Sequence, residues 1–183
     1  MKKLWASLTA ITMALGLGLL APGFASATTS YCRLAWGSLA ESHQAMSAAS
    51  VTNIRSGQHL CFDRLVIDIN GKAAGYNVRY VSKVVQDGSG LLINLRGGAF
   101  LHVTAHSPSY DGATGKATFT PASRFEVTNV SNYNTFRQVA WAGSYEGHTS
   151  LGLGVRARLP FKVFTLAGPG NASKLVIDVA HHW

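Results

Sequence analysis

The fold is decided by the stretch Arg64-Leu65-Val66-Ile67-Asp68-Ile69, which is followed by Asn70-Gly71. Its residues alternate, so that Leu65, Ile67 and Ile69 point to one side of an extended chain and the residues between them point to the other. Asn-Gly is a common dipeptide of tight turns. The stretch therefore predicts a strand that is buried on one face and ends in a turn.

The same pattern recurs near the end of the chain, in Lys174-Leu175-Val176-Ile177-Asp178-Val179. We expect the two strands to lie side by side or to occupy equivalent positions in two sheets. Asp68 and Asp178 could then each pair with a base on a neighbouring strand. An exposed pair of this kind contributes at most about 1 kcal/mol. The alternative is that the two stretches are unrelated sequences that both favour a strand.

The rest of the chain is punctuated in the same way, with short alternating runs separated by turns and 19 glycines in all. This pattern predicts an all-β, two-layer β-sandwich of about nine to ten short strands, with a long loop over 107–122. Gly152 and Gly154 lie inside one run and indicate a bulge or a close backbone approach. Ser38 to Glu41 fits a capping box and favours a short helix over 42–49. Further strands are expected at 60–69, 76–85, 91–95, 99–105, 124–130, 136–141, 149–155, 161–166 and 175–180.

Residues 1–27 are typical of a secretory signal peptide. Lys2 and Lys3 precede an uncharged, mostly apolar stretch, and Ala25-Ser26-Ala27 supplies a cleavage pattern. A permanent anchor helix is the alternative, but the apolar stretch is short for a membrane span. We therefore expect a secreted, cell-wall-associated protein with no transmembrane anchor after cleavage.

The chain is 47% apolar and 13% charged, which excludes a disordered protein. Its formal charge of +8 includes Lys2 and Lys3. Basic charge favours anionic envelope polymers through long-range attraction. Nucleic acid is not expected as a partner, because the charges are scattered. The alternative is that the charge only keeps the protein soluble.

Cys32 and Cys61 are the only cysteines. In an oxidising compartment such a pair usually forms a disulfide, which here would contribute about 3–4 kcal/mol. The bridge would tie an N-terminal segment, residues 28–56, onto a domain over 57–183. Two isolated cysteines lack the paired ligand spacing of a metal site, so we expect no metal.

Catalytic patterns are weak. No Gly-x-Ser-x-Gly elbow is present, and His102 and His106 would be about 13 Å apart on a strand. Glu146 alone among the acids lies in a loop rich in glycine and aromatic residues. We assign no catalytic residue and no cofactor. A small extracellular hydrolase remains an alternative if a cavity joins Glu146 or a histidine to a second acid or base.

Ligand binding is better supported by aromatic and arginine side chains near turns. Aromatic rings stack on sugars, and an arginine fork matches a carboxylate. Trp36 and Trp141 are alternatively core residues, and the arginines alternatively belong to a solvated strand face. Arg156 and Arg158 are expected to alternate on one strand and to face the same way. The candidate binding residues are Trp36, Trp141, Tyr145, Arg156 and Arg158.

Seven short motifs follow one another along the chain, at 61–68, 75–81, 87–90, 141–147, 151–155, 160–164 and 175–181. Their order and spacing resemble those of an AMIN-like domain over roughly residues 50–183, and Trp36-Gly37-Ser38-Leu39 is similar to the lead-in of secreted actinobacterial members. AMIN domains are β-sandwiches attached to cell-wall amidases and secretin-type pores, where they target the envelope by binding peptidoglycan. The resemblance implies a non-catalytic envelope-binding module whose partner is a cell-wall glycan or anionic polymer. A protein-interaction or inhibitor module for an envelope protein is the alternative.

Overall fold

The computed structural model describes residues 32–73 and 75–183. The predicted signal peptide, residues 1–27, lies outside the described residues. Within them the chain forms eleven strands and no helix, which confirms the all-β prediction. The strands are β1 (Glu41–His43), β2 (Ser50–Gln58), β3 (Phe62–Asn70), β4 (Tyr76–Val81), β5 (Val84–Val85), β6 (Leu92–Ile93), β7 (Ala99–Ala105), β8 (Phe136–Tyr145), β9 (His148–Val155), β10 (Phe161–Ala167) and β11 (Ser173–Ala180).

The strands form two main antiparallel sheets and one small one. The five-stranded sheet has the order β1-β4-β7-β9-β8, and the four-stranded sheet has the order β10-β11-β3-β2. Strands β5 and β6 form a separate two-stranded ladder. One buried cluster contains apolar side chains from the inner faces of both main sheets, as expected of a β-sandwich.

The core is formed by alternate residues of each strand, as the sequence pattern predicted. Leu65, Ile67 and Ile69 of β3 are at most 2% exposed and belong to this cluster. Leu101 and Val103 of β7 contribute to it from the facing sheet and are fully buried. The intervening residues of each strand are thereby directed to the outer faces, where a ligand can reach them.

The two similar stretches lie side by side in the four-stranded sheet, in β3 and β11. Arg64 is opposite Asp178, and Asp68 is opposite Lys174. The prediction of neighbouring strands is therefore confirmed. Because the strands are antiparallel, the cation of one stretch lies beside the acid of the other.

Glycines in β9 allow the small ladder to cover the outer face of the five-stranded sheet. A Cβ at Gly152 would lie 2.8 Å from Leu95 Cδ1, and a Cβ at Gly154 would lie 1.9 Å from the carbonyl oxygen of Arg96. The predicted close approach is confirmed. It brings residues 84–96 onto the sheet, where Val84 and Ile93 are buried.

The predicted helix over 42–49 is wrong. Residues 41–43 instead form β1, which pairs with β4 at the edge of the five-stranded sheet. The chain then stays close to its neighbours, since Gly75 N donates to Ala45 O and Ser47 N to His106 O. A weak local preference for helix is outweighed here by hydrogen bonds to distant segments.

The predicted strand over 124–130 is also wrong. This segment lies along β8, where Arg124 O accepts a hydrogen bond from Trp141 N and Val127 N donates one to Val139 O. These two hydrogen bonds are too far apart along the segment to form a regular β ladder. The segment nevertheless covers part of the exposed edge of the five-stranded sheet.

Residues 32–41 cross from one sheet to the other. Cys32 forms the predicted disulfide with Cys61, with a Cα–Cα distance of 5.6 Å. Phe161 N, at the start of β10, then donates to Gly37 O. Beyond that point Glu41 in β1 accepts a hydrogen bond from Val163 N through Oε2, at 3.1 Å. The segment thus joins the edge of the four-stranded sheet to the edge of the five-stranded sheet.

Candidate functional site

The outer face of the four-stranded sheet carries a group of charged and aromatic side chains. They lie there because the alternate residues of the same strands fill the core. Cross-strand registers place Lys162 next to Asp178 and Asp178 next to Arg64, on one side of the sheet. We call this surface the charged sheet face; it comprises Arg55, Phe62, Arg64, Asp68, Lys162, Phe164, Lys174 and Asp178.

Two forked ion pairs organise the charged sheet face. Arg64 Nε and Nη2 each donate to Asp178 at 2.7 Å. Arg55 Nε and Nη2 donate to Asp68 at 2.8 and 3.0 Å. The prediction that each aspartate pairs with a base on a neighbouring strand is confirmed. These hydrogen bonds raise the pKa of Arg64 and of Arg55 above the ordinary value.

The Arg64–Asp178 pair differs from the exposed pair that the sequence predicted. The side chain of Asp178 is only 2% exposed, and that of Arg64 is 25% exposed. A low-dielectric setting strengthens such a pair, and its rigid geometry fixes the guanidinium plane. Arg64 is therefore held in one orientation for contact with neighbouring groups.

Aromatic rings flank the fixed guanidinium. Arg64 Cζ lies 5.1 Å from the ring centroid of Phe62 and 5.5 Å from that of Phe164. Lys162 Nζ lies 6.0 Å from the Phe164 centroid. Phe62 is in turn stacked on His59 at 4.5 Å. The result is an alternation of rings and cations across the sheet, in which each ring face is close to a positive charge.

A groove of about 280 Å³ lies on the same face. Its floor includes Val66 and Val176, which are buried although they point outward. No carboxylate in the described residues lies within ion-pair distance of Lys162 or Lys174. The positive charges of these two lysines are therefore not neutralised by an ion pair. With its four cationic and two anionic side chains, the face has a formal charge of +2.

The binding residues proposed from the sequence do not share one site. Trp36 lies at the end of the charged sheet face, 5.6 Å from Phe62 between ring centroids. Trp141 is half-buried and packs on Phe119 at 5.6 Å, against the main core. Tyr145 is 55% exposed, at the end of β8. A role of these residues in binding stays a prediction.

Arg156 and Arg158 do not alternate on a strand, so that prediction is wrong. Strand β9 ends at Val155, and both arginines lie in the bend that follows. Arg156 Nη2 donates to the carbonyl oxygen of His181. Arg158 instead donates to Ser38 O at 2.9 Å and covers the ring of Tyr80 at 5.0 Å. Both side chains connect parts of the fold, and they have different neighbours.

The sequence analysis missed Lys162, Phe164 and Lys174 as members of a surface. The signal was present, because the alternation that predicts β10 and β11 also predicts which residues face outward. Alternation does not give the strand order, and it is the strand order that places β11 between β10 and β3.

No arrangement of three or more His, Cys, Asp or Glu side chains in residues 32–73 and 75–183 could hold a metal ion. In that same part of the chain, no helix is long and apolar enough to cross a membrane.

The structure defines an antiparallel β-sandwich with one charged outer face. The family model of the AMIN-like domain matches residues 49–181, and the chain therefore belongs to the AMIN-like domain family. AMIN-like domains are generally non-catalytic binding modules and are typically extracellular or periplasmic. No curated protein and no solved structure is significantly similar to the chain.

Proposed function

We propose that this protein is a secreted, non-catalytic module that binds peptidoglycan or an associated anionic polymer of the cell wall through the charged sheet face. Membership of the AMIN-like family supports a role related to the cell wall. The apolar and basic N-terminal sequence supports export, and the formal charge of +6 that remains without Lys2 and Lys3 (14 basic against 8 acidic side chains) supports an anionic partner.

The proposal rests on one observation. Two lysines that form no ion pair with a described carboxylate lie on the same sheet face as two aromatic rings and an arginine that is fixed by Asp178. Lys162 and Lys174 provide charge for carboxylates or phosphates. Phe62 and Phe164 provide flat surfaces on which the apolar face of a sugar can stack. Because Asp178 already fixes Arg64, the Arg64 side chain loses little entropy when a polymer binds.

Sedimentation with purified cell-wall sacculi tests this proposal. The mature protein should sediment with sacculi at low salt and be released progressively as salt increases, since salt screens exposed charges. The double variant Lys162→Glu, Lys174→Glu should bind at least about tenfold more weakly, because each lysine near an anionic surface contributes about 1 kcal/mol.

The matched control is the double variant Lys83→Glu, Lys116→Glu, which changes the net charge equally at two exposed lysines outside this face. It should retain most of the binding. Equal losses in both double variants would show that only net charge matters. Failure of the wild-type protein to sediment even at low salt would refute wall binding and would leave an envelope protein as the partner to identify by cross-linking.

A further inference from the structure

A second concave site lies on the opposite side of the sandwich, on the outer face of the five-stranded sheet. It is a cavity of about 230 Å³ between the turn at 87–90 and the turn that joins β8 to β9. It joins Glu146 and two histidines to a second acid, so the hydrolase alternative of the sequence analysis stays a prediction. Its lining is Asp87, Gly88, His102, Thr104, Tyr145, Glu146, His148 and Ser150.

A bulge in β8 holds one wall of this cavity in place. The register shifts between Trp141 and Gly143, and Gly143 has a φ of 135°. Asp87 N donates to Ala142 O at 2.8 Å in this bulge. A Cβ at position 143 would lie 3.2 Å from Asp87 Cβ, so glycine allows the turn to approach. The position of Asp87 is thus built into the strand.

Two polar atoms of the cavity residues are buried and make no hydrogen bond to any residue that the structure describes. They are Asp87 Oδ2 and His102 Nε2. A buried carboxylate oxygen without a donor is costly, and such a group in a folded protein calls for an explanation. A ligand that donates a hydrogen bond and carries positive charge would remove this cost after a small rotation of the side chain, since neither atom is exposed to solvent in this conformation.

His102 suits such a ligand because it carries no charge of its own at neutral pH. Burial lowers the pKa of His102; Asp87 opposes the effect, and Arg79 adds to it. Arg79 lies opposite His102 in the β4–β7 register, and its guanidinium donates to Asn77 Oδ1 at 3.2 Å. A neutral imidazole nitrogen can accept a hydrogen bond from a cationic donor.

The rim adds a second carboxylate and an aromatic ring. Glu146 is the only non-glycine among the described residues with a positive φ, 47°, and it occupies a hairpin-turn position where Asn, Asp or Gly is usual. His148 Nδ1 donates to Glu146 O at 2.9 Å. The ring of Tyr145, 55% exposed, is available for contact with a cation.

The charge of the lining contrasts with that of the chain. Of the eight residues that line the cavity, two are carboxylates and none is lysine or arginine, whereas the whole chain has a formal charge of +8. The side chains do not have the grouping that a metal ion needs, as stated above for the described residues. An organic cation with several N–H donors fits the lining better.

We propose that this cavity binds a primary ammonium group of an organic ligand, with Asp87 and Glu146 as its carboxylate partners and the Tyr145 ring against its carbon chain. The site is independent of the charged sheet face, which selects anions on the other side of the sandwich. One molecule can therefore contact two groups of opposite charge at once.

The probe for this site is Nα-acetyl-lysine amide, titrated into the 15N-labelled mature protein and followed by NMR. Saturable shifts are expected at the amides of Asp87, His102 and Tyr145. The Nε-acetylated form of the same compound, which lacks the charge, should cause no saturable shift. Glu146→Gln should weaken binding about tenfold, the usual contribution of a hydrogen bond to a charged group.

Glu126→Gln is the matched control, because Glu126 is an exposed glutamate that pairs with Arg96 and does not line the cavity. It should bind like the wild type. Asp87→Asn tests the buried partner, and Glu146→Gln keeps the test decisive if that variant does not fold. Equal shifts with the acetylated compound, unchanged affinity in Glu146→Gln, or saturation by an uncharged sugar but not by the amine would overturn the proposal.

Discussion

Asp63 and His181 meet inside the sandwich, where Asp63 Oδ1 accepts a hydrogen bond from His181 Nε2 at 3.1 Å. The side chains are 0% and 5% exposed. Asp63 Oδ2 accepts two further bonds, from Thr135 N at 2.6 Å and from Phe136 N at 2.9 Å. Asp63 belongs to the four-stranded sheet and Phe136 to the five-stranded sheet, so one carboxylate connects the two layers.

Replacing this carboxylate should destabilise the fold strongly. Asp63→Ala leaves three buried donors without an acceptor, and we expect a loss of about 3–5 kcal/mol in the free energy of unfolding. Chemical denaturation of the mature protein measures this loss.

Asp63→Asn is the informative comparison. Its amide oxygen can still accept from Thr135 N and Phe136 N, and its NH₂ group can donate to His181 Nε2 once the imidazole proton moves to Nδ1. The loss should therefore be clearly smaller than in Asp63→Ala. Equal losses in the two variants would mean that the backbone bonds contribute little and that charge is the main contribution.

The close approach at Gly154 leads to a second prediction. Gly154→Ala would place a Cβ 1.9 Å from the Arg96 carbonyl oxygen, which is backbone and cannot move alone. We expect a destabilisation of about 3 kcal/mol, and exposure of the face that residues 84–96 cover. Denaturation curves and hydrogen exchange at Val84 and Ile93 check both effects.

Two other glycines provide graded controls. At Gly152 the nearest atoms belong to the side chains of Leu95 and Val84, so Gly152→Ala should be less harmful. Gly112 has no atom within 4 Å of an added Cβ and no positive φ, so Gly112→Ala should be close to neutral. A Gly154→Ala variant as stable as Gly112→Ala would contradict the role of the contact.

The disulfide leads to a third prediction. Cys32→Ser, Cys61→Ser should lower the free energy of unfolding by about 3–4 kcal/mol, because the open chain gains entropy when it unfolds. The N-terminal segment should also become more accessible, which limited proteolysis before Glu41 would detect. Identical stability and cleavage patterns in the bridged and unbridged proteins would show that the contacts of Gly37 and Glu41 hold the segment without the bridge.

The sequence predicts those features that depend on local pattern. β3 and β11 alternate strictly, and alternation alone divides Leu65 and Ile67 from Arg64 and Asp68. Gly152 and Gly154 indicated a close approach because few other reasons place glycine in a buried strand. Each of these inferences needs only neighbours in the chain.

The errors concern features that depend on distant partners. Residues 42–49 have a weak preference for helix, and their hydrogen bonds to Gly75 and His106 are not visible in the local sequence. Alternation over 124–130 indicates an extended chain but not whether a full ladder forms. Asp87 lies in a turn near two glycines, and its position at a cavity depends on the bulge at Gly143, which is distant in the chain.

The fourth prediction concerns pH. Burial lowers the pKa of His106, opposed by its hydrogen bond to Ala45 O and reinforced by His148 and His43. The His106 and His148 rings are 4.9 Å apart. Burial likewise lowers the pKa of His102. In the unfolded chain these histidines take up protons near their ordinary pKa of about 6.5.

Because the unfolded state binds protons more readily than the folded state, this contribution to stability is complete above about pH 6.5 and is lost as the pH falls below it. The free energy of unfolding should therefore decrease as the pH falls below about 6.5. His106→Gln should reduce that decrease, whereas His182→Gln, at an exposed C-terminal position, should not. If the free energy of unfolding changes with pH by the same amount in the wild type and in His106→Gln, His106 and the neighbouring His148 and His43 do not control the acid sensitivity of the fold.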